Sequence, residues 1–296
     1  MAEASIPVDL LNPGQAFACL GFLEAAEILL GNAQGGFDWS DESDVRFRLR
    51  ADGEEDPFAV VLRFLANAEV HSIAPQRSNL CTNIWSVETR RQSEDVPFPY
   101  PLPDSPATLP AVLTDGEQQI VLDYWADNHN STSRDNVKFW AGAGGYPGAA
   151  LARDGLNLVR ERMQDAVSDP FNIAAEQSSS FRLDWRRDYI PLDIGFSINK
   201  HANTRFVTVG YPVTEILAAV GLTHSRPEFI SKLEYRYEIL GVSAQSDLFD
   251  LFYMRASLGA PSLPFPHRVF RIDLGWPGKE GQARCITTVY EELPNA

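Results

Sequence analysis

The stretch "KFWAGAGGYPGAAL", residues 138–151, places Lys138, Phe139 and Trp140 directly before a loop that contains Gly142, Gly144, Gly145 and Gly148. Glycine lets a phosphate or a base approach main-chain N–H groups, and a cation beside flat apolar rings suits the grip on a single strand. A second group lies in "FRLDWRRDYIPLDIGFSINKHANTR", residues 181–205. There Arg186 and Arg187 follow Trp185, while Lys200, His201 and Arg205 share a polar stretch with Asn199 and Asn203. Such groups can hold phosphates and stack bases. Each feature also has a plainer reading: a glycine loop that turns the chain before a helix, and surface arginines neutralised by Asp184, Asp188 and Asp193. A third possibility is metal-independent RNA cleavage, which needs a base near a 2′-hydroxyl and a cation for the developing charge. His201 beside Lys200, with Tyr211 or Tyr189, would supply them.

Other enzymatic signatures fail. "GWPGKEG" at 275–281 has Glu280 where a phosphate-binding loop requires Ser or Thr, and "GFSIN" at 195–199 has Asn199 where a nucleophile elbow requires glycine. The histidines at 71, 129, 201, 224 and 267 stand apart from one another, and Cys19, Cys81 and Cys285 are widely spaced and odd in number. These patterns predict no metal site, no cofactor and buried free thiols.

The formal charge of −15 over 296 residues opposes nucleic-acid binding, which normally rests on clustered positive surface. The acid is unevenly spread. Residues 38–56 hold eight acidic groups against Arg46, Arg48 and Arg50, whereas 134–162 and 182–205 each carry five basic groups against three acidic. No apolar run reaches the roughly 18–20 residues of a membrane span, and the N-terminus lacks a leader pattern, so a cytoplasmic location without membrane contact is expected.

The elements that must carry these residues begin with a helix after Asn12 and Pro13 that ends near Gly31. Its narrow polar face holds Glu24 and Glu27, and Gly21 at its middle predicts close packing against a strand. Asp56 and Pro57 repeat the start signal. Between the helices "VRFRLR" alternates, with Val45, Phe47 and Leu49 on one face and three arginines on the other. Further strands are predicted at 118–126, 179–185, 205–210, 233–240, 268–274 and 283–292, and helices at 148–167 and 211–221. The six prolines of 97–110, within a connector at 95–113, mark the one candidate internal boundary of an otherwise single domain spanning 1–296. Helices and strands mix without regular βα alternation, which indicates an α+β chain.

Four stretches together, "VDLLNPGQAFACLGFLEAAEIL", "VKFWAGAGG", "FRLDWRRDYIPLDIGFSIN" and "GYPVTEILAAVGLTHSRP", resemble the accessory subunit family of type I-G (formerly I-U) CRISPR-Cas systems. That family is grouped with the repeat-associated RAMP proteins. The resemblance implies a ferredoxin-like or RRM-like RAMP core elaborated by insertions, in a non-catalytic subunit of an RNA-guided antiviral surveillance complex. Guide CRISPR RNA, the other subunits of the effector complex and target DNA are the implied partners. On this reading Lys138, Trp140 and the loop from Gly142 through Gly144 and Gly145 meet the guide, and Arg186, Arg187, Lys200, His201 and Arg205 form a second strip of backbone contacts. The acidic stretch 38–56 then faces solvent or a basic neighbouring subunit. The rival readings are the metal-independent ribonuclease and an acidic protein-interaction subunit that touches no nucleic acid.

Overall fold

Asn12 opens the first helix by accepting a hydrogen bond from the Gly14 N–H at 3.1 Å, with Pro13 at the position where a missing N–H costs nothing. In the computed structural model this helix is α1 (Pro13–Leu29), and Gly31 follows it at φ +88°, a left-handed conformation natural to glycine. The structure describes residues 1–95, 98, 102–123, 146–177, 179–188, 208–243, 247–259, 263–275 and 284–292. Asp56 caps α2 (Pro57–Asn67) in the same manner, accepting from Phe58 N at 2.8 Å.

Strands β1 (Ala2–Pro7), β2 (Gln34–Asp38) and β3 (Arg46–Ala51) flank these helices. β3 lies between β1 and β2 and is antiparallel to both, so α1 links two strands separated by a third. Phe47 and Leu49 are buried while Arg46, Arg48 and Arg50 face outward, as the alternation predicts. The next strand, β4 (Glu69–Ala74), leaves this sheet and joins β5 (Thr89–Arg91), β6 (Ala111–Thr114) and β7 (Gln119–Leu122) in the order β5-β4-β6-β7. Helix α3 (Gly148–Asn157) packs on β4 and β6. Strands β8 (Ala175–Glu176) and β9 (Val209–Gly210) form a short ribbon before α4 (Pro212–Gly221).

The C-terminal third completes the large sheet with β10 (Glu228–Ser231), β11 (Glu234–Val242), β12 (Phe249–Asp250), β13 (His267–Gly275) and β14 (Cys285–Glu292), and α5 (Leu251–Ser257) follows β12 directly. The sheet order is β1-β3-β2-β11-β13-β14, with β10 also paired to β11 and β12 to β2. The two halves meet where β11 pairs in parallel with β2, Gly241 opposite Phe37. One contiguous core runs from Ile6 to Ile286, shared by residues on both sides of the proline-rich run. The chain is thus α+β. Among the described residues no helix is long and apolar enough to cross a membrane.

Helices α1 and α4 cross at the centre of this core. A Cβ on Gly21 would fall 1.9 Å from the Leu217 carbonyl oxygen, and one on Gly221 would fall 2.3 Å from the Phe17 carbonyl oxygen and 2.7 Å from Gly21 N. The two glycines therefore open the crossing for each other. Gly21 packs against a helix and not against the predicted strand, because the sheet contacts α1 through its large side chains, such as Phe17 against Tyr237 at 5.4 Å. Glu24, placed on the polar face by periodicity, is buried instead and accepts two hydrogen bonds of 2.5 Å from Arg255 of α5.

Three predicted elements differ. The predicted strand 179–185 does not form: Arg182 sits at φ +58° and a 3-10 turn spans Trp185–Asp188. The predicted helix 148–167 stops at Asn157 and continues as 3-10 turns at Arg160–Arg162 and Gln164–Ala166. Arg160 there donates to the Ala66 carbonyl at 2.9 Å and Arg162 to the Ala174 carbonyl at 2.8 Å. These tertiary contacts to carbonyls at the end of α2 and before β8 outweigh helix propensity. Of the predicted strand 205–210, Val209 and Gly210 are paired. Cys19 and Cys285 are buried thiols as expected, whereas Cys81 is half-buried.

Candidate nucleic-acid interface

Three of the four stretches that carry the resemblance meet at one buried junction. Asn12, besides capping α1, donates through Nδ2 to Asp184 Oδ1 at 3.0 Å. Gly14 lies so close to the same segment that a Cβ there would sit 2.7 Å from Asp184 Cα and from the Leu183 carbonyl oxygen. From α4, the Glu215 carboxylate accepts the N–H groups of Leu183 at 3.2 Å and Asp184 at 3.1 Å. Both carboxylates are buried, at 0% exposure for Asp184 and 1% for Glu215. Fixing two consecutive amides with one carboxylate defines the path of a segment that has no regular secondary structure.

Arg186 closes the junction. Its Nε lies 3.0 Å from Asp184 Oδ1 and its Nη2 2.6 Å from Asp184 Oδ2, a forked pair. The guanidinium also donates to Asn172 Oδ1 at 2.9 Å and to the Phe171 carbonyl at 2.7 Å, and lies 3.4 Å from the centre of the Tyr211 ring. Asp184 further faces the N-terminal end of α1, where the helix dipole favours negative charge. The buried anion is therefore matched by a cation and by oriented dipoles.

This arrangement decides what the site residues can do. Arg186, predicted to contact a nucleic-acid backbone, is committed to Asp184, Asn172, Phe171 and Tyr211. Tyr211, a candidate for the ribonuclease reading, holds its ring against that guanidinium at the start of α4. Arg187 belongs to the turn at Trp185–Asp188. Lys138, Trp140, Gly142, Gly144, Gly145, Tyr189, Lys200, His201 and Arg205 lie outside the described residues. The turn ending at Asp188 belongs to the junction, and Thr208 is held beside it by the β8–β9 ribbon, its carbonyl accepting the Gln177 N–H at 2.9 Å.

The approaches to 124–145 are fastened separately. Asp123, at the end of β7, is buried and its N–H lies 3.5 Å from Thr223 Oγ1, just past the C-terminal end of α4. On the other side the Tyr146 hydroxyl donates to Asp154, whose carboxylate also accepts from Arg153 Nε at 2.9 Å. Burial, and then this bond to Asp154, pushes the Tyr146 phenol up to about 12. At neutral pH it is a donor and not a base. Tyr211 and Thr223 stand at opposite ends of α4, a ten-residue helix about 15 Å long.

Several arginines elsewhere are engaged by carboxylates. On the outer sheet face Arg48 Nη2 meets Glu3 at 2.6 Å, Arg236 meets Glu228 at 2.5 Å, and Arg271 meets Glu234 at 2.6 Å. Among the described residues no group of three or more His, Cys, Asp or Glu side chains could hold a metal ion. No family model, curated protein or solved structure matches the chain. The pairing of Arg186 with Asp184 follows the plainer reading of the sequence, whereas the burial of that pair and the role of Glu215 were missed, although a carboxylate within the apolar run "PVTEILAAVG" was a signal.

Proposed function

We propose that the chain is a non-catalytic subunit of a type I CRISPR RNA-guided surveillance complex, gripping guide RNA or target DNA backbone and neighbouring subunits. One observation carries this reading: "NPGQ", "LDWRR" and "YPVTE", which bear the resemblance at positions far apart in sequence, converge on the Asn12–Asp184–Arg186–Glu215 junction. Residues that meet in space form one functional frame, and its product is a fixed base for the segment that carries Lys200, His201 and Arg205. The arrangement of β1, β3 and β2 around α1 supports the ferredoxin-like part of the RAMP core, with β4 diverted into the second sheet. Lys138, Trp140 and the glycines Gly142, Gly144 and Gly145 are the guide-contacting set in this reading, and Arg186 becomes a positioning residue.

The test is co-purification of the tagged chain with its neighbouring subunits, followed by extraction and sequencing of bound nucleic acid. Guide-length RNA that is lost when Lys138, Lys200 and Arg205 are replaced together by alanine is the expected result. Retention of the RNA by that variant would refute the assignment. A second reading, an acidic protein-interaction subunit, is favoured by the pairing of Arg48, Arg236, Arg271 and Arg186 with carboxylates. It predicts partner proteins in the eluate with no nucleic acid.

A further inference from the structure

A cleft of about 530 Å³ lies between residues 8–11, which leave β1, the acidic turn at 42–45, and β13 and β14. Its walls include Val8, Val45, Phe270 and Val289. Its charged lining consists of Asp9, Glu42, Glu291 and a single cation, Arg268. That cation is already satisfied, because Arg268 Nε donates to Glu291 Oε1 at 2.7 Å and the guanidinium lies 5.7 Å from the centre of the Phe270 ring and 5.8 Å from that of Trp39. Nearby Arg46 is paired with Asp44 at 3.3 Å.

Two negative charges are therefore left over at this cleft. Among the described residues Asp9 accepts the Leu11 N–H at 2.9 Å but meets no cation, and the exposed Glu42 makes no hydrogen bond or ion pair, its charge being felt by the same Arg268 that Glu291 already holds. Carboxylates in excess of the one cation beside apolar walls suit a long aliphatic side chain with a positive head, since the stem packs on carbon while the head meets the acids. The same charges repel phosphate, so a nucleic-acid strand is the wrong occupant. A chain of formal charge −15 finds its complement in a basic protein surface.

We infer that this cleft receives an arginine or lysine side chain from a basic partner polypeptide. It locates the contact for a neighbouring subunit, rests on charge and shape at residues that are not among the proposed RNA contacts, and can hold or fail without them.

The probe is acetyl-arginine amide, titrated calorimetrically into the full chain, with the uncharged analogue acetyl-citrulline amide as comparison. The arginine compound is expected to bind at roughly millimolar affinity, weakening as salt is added, while the citrulline compound does not bind. Glu42→Gln should weaken binding about threefold and Glu42→Lys should abolish it. Because Glu42 is exposed and unpaired, both variants should fold as the parent does, which circular dichroism checks. Equal binding of the two probes, no binding of the arginine probe, or an unchanged affinity in Glu42→Gln would overturn the inference. Guide-RNA recovery from the Glu42→Lys chain reports separately on the proposed function.

Discussion

Replacing Gly21 by alanine tests the helix crossing on which the framework is built. On helix propensity alone the change is favourable by about 1 kcal/mol. At the crossing it is not, because the new Cβ would lie 1.9 Å from the Leu217 carbonyl oxygen and 2.6 Å from its carbon, where ordinary contact begins at 3.4 Å. Helix α4 must retreat by about 1.5 Å, the difference between the first and last of those distances. A gap of even 0.5–1 Å forfeits roughly a quarter to a half of each dispersion contact. Phe17, Leu20, Leu217 and Val220 all lie buried around the crossing. An overpacking cost of about 3 kcal/mol, offset by the propensity gain, leaves a net loss of roughly 2 kcal/mol. Urea denaturation should show this as a midpoint lowered by about 0.7 M, taking a slope of about 3 kcal/mol/M and no change in it. Gly53 supplies the comparison: it sits at φ +102° with nothing within 4 Å of where a Cβ would stand, so alanine there registers backbone strain alone, about 1 kcal/mol. A Gly21→Ala chain as stable as the parent, or more stable, would refute the tight crossing.

Arg186→Met should destabilise the chain by about 3–5 kcal/mol, because Asp184 remains buried without its cation. Adding Asp184→Asn should restore part of that loss in the double variant, and strictly additive losses on urea denaturation would argue against the pair. Gly221→Ala combined with Gly21→Ala should cost less than the sum of the two, since both side chains displace the same helix contact. His71 is buried, its Nδ1 lacks a hydrogen-bond partner among the described residues, and desolvation followed by the charge of Arg90 lowers its pKa below the ordinary 6.5. The unfolded chain then binds the proton first, so stability should fall as pH is lowered from about 7 through 6.5 toward the folded-state value. His224 is lowered in the same direction, so the informative quantity is the difference between parent and His71→Gln. Urea midpoints between pH 7.5 and 5.5 should fall less steeply in that variant, and identical slopes would show that His71 does not contribute.

The junction was partly legible before the structure. Asn12 and Pro13 announce a helix start locally, and Arg186 and Arg187 after Trp185 announce cations beside an aromatic ring. That Asp184 neutralises Arg186 was legible as the plainer reading, but its further partners Asn172 and Tyr211 and the buried setting of Asp184 were not, since they depend on three segments brought together. The same holds for Glu24: periodicity placed it on a polar stripe, but the arrival of α5 with Arg255 buried it as a pair.

By itself the sequence determined the features whose causes lie within a few residues. These are the capped starts at Asn12 and Asp56, the alternation that turns Phe47 and Leu49 inward, and the left-handed turn at Gly31. Only the tertiary structure decided that Gly21 answers Gly221, that β4 departs to a second sheet, and that residues 181–188 bend across the end of α1 instead of extending as a strand. Caps and alternation report on backbone hydrogen bonds and pleat, which are local. The segment at 181–188 instead takes its course from amide bonds to Glu215, the bond from Asn12 and the burial of an ion pair, all of which exist only once α1 and α4 have packed.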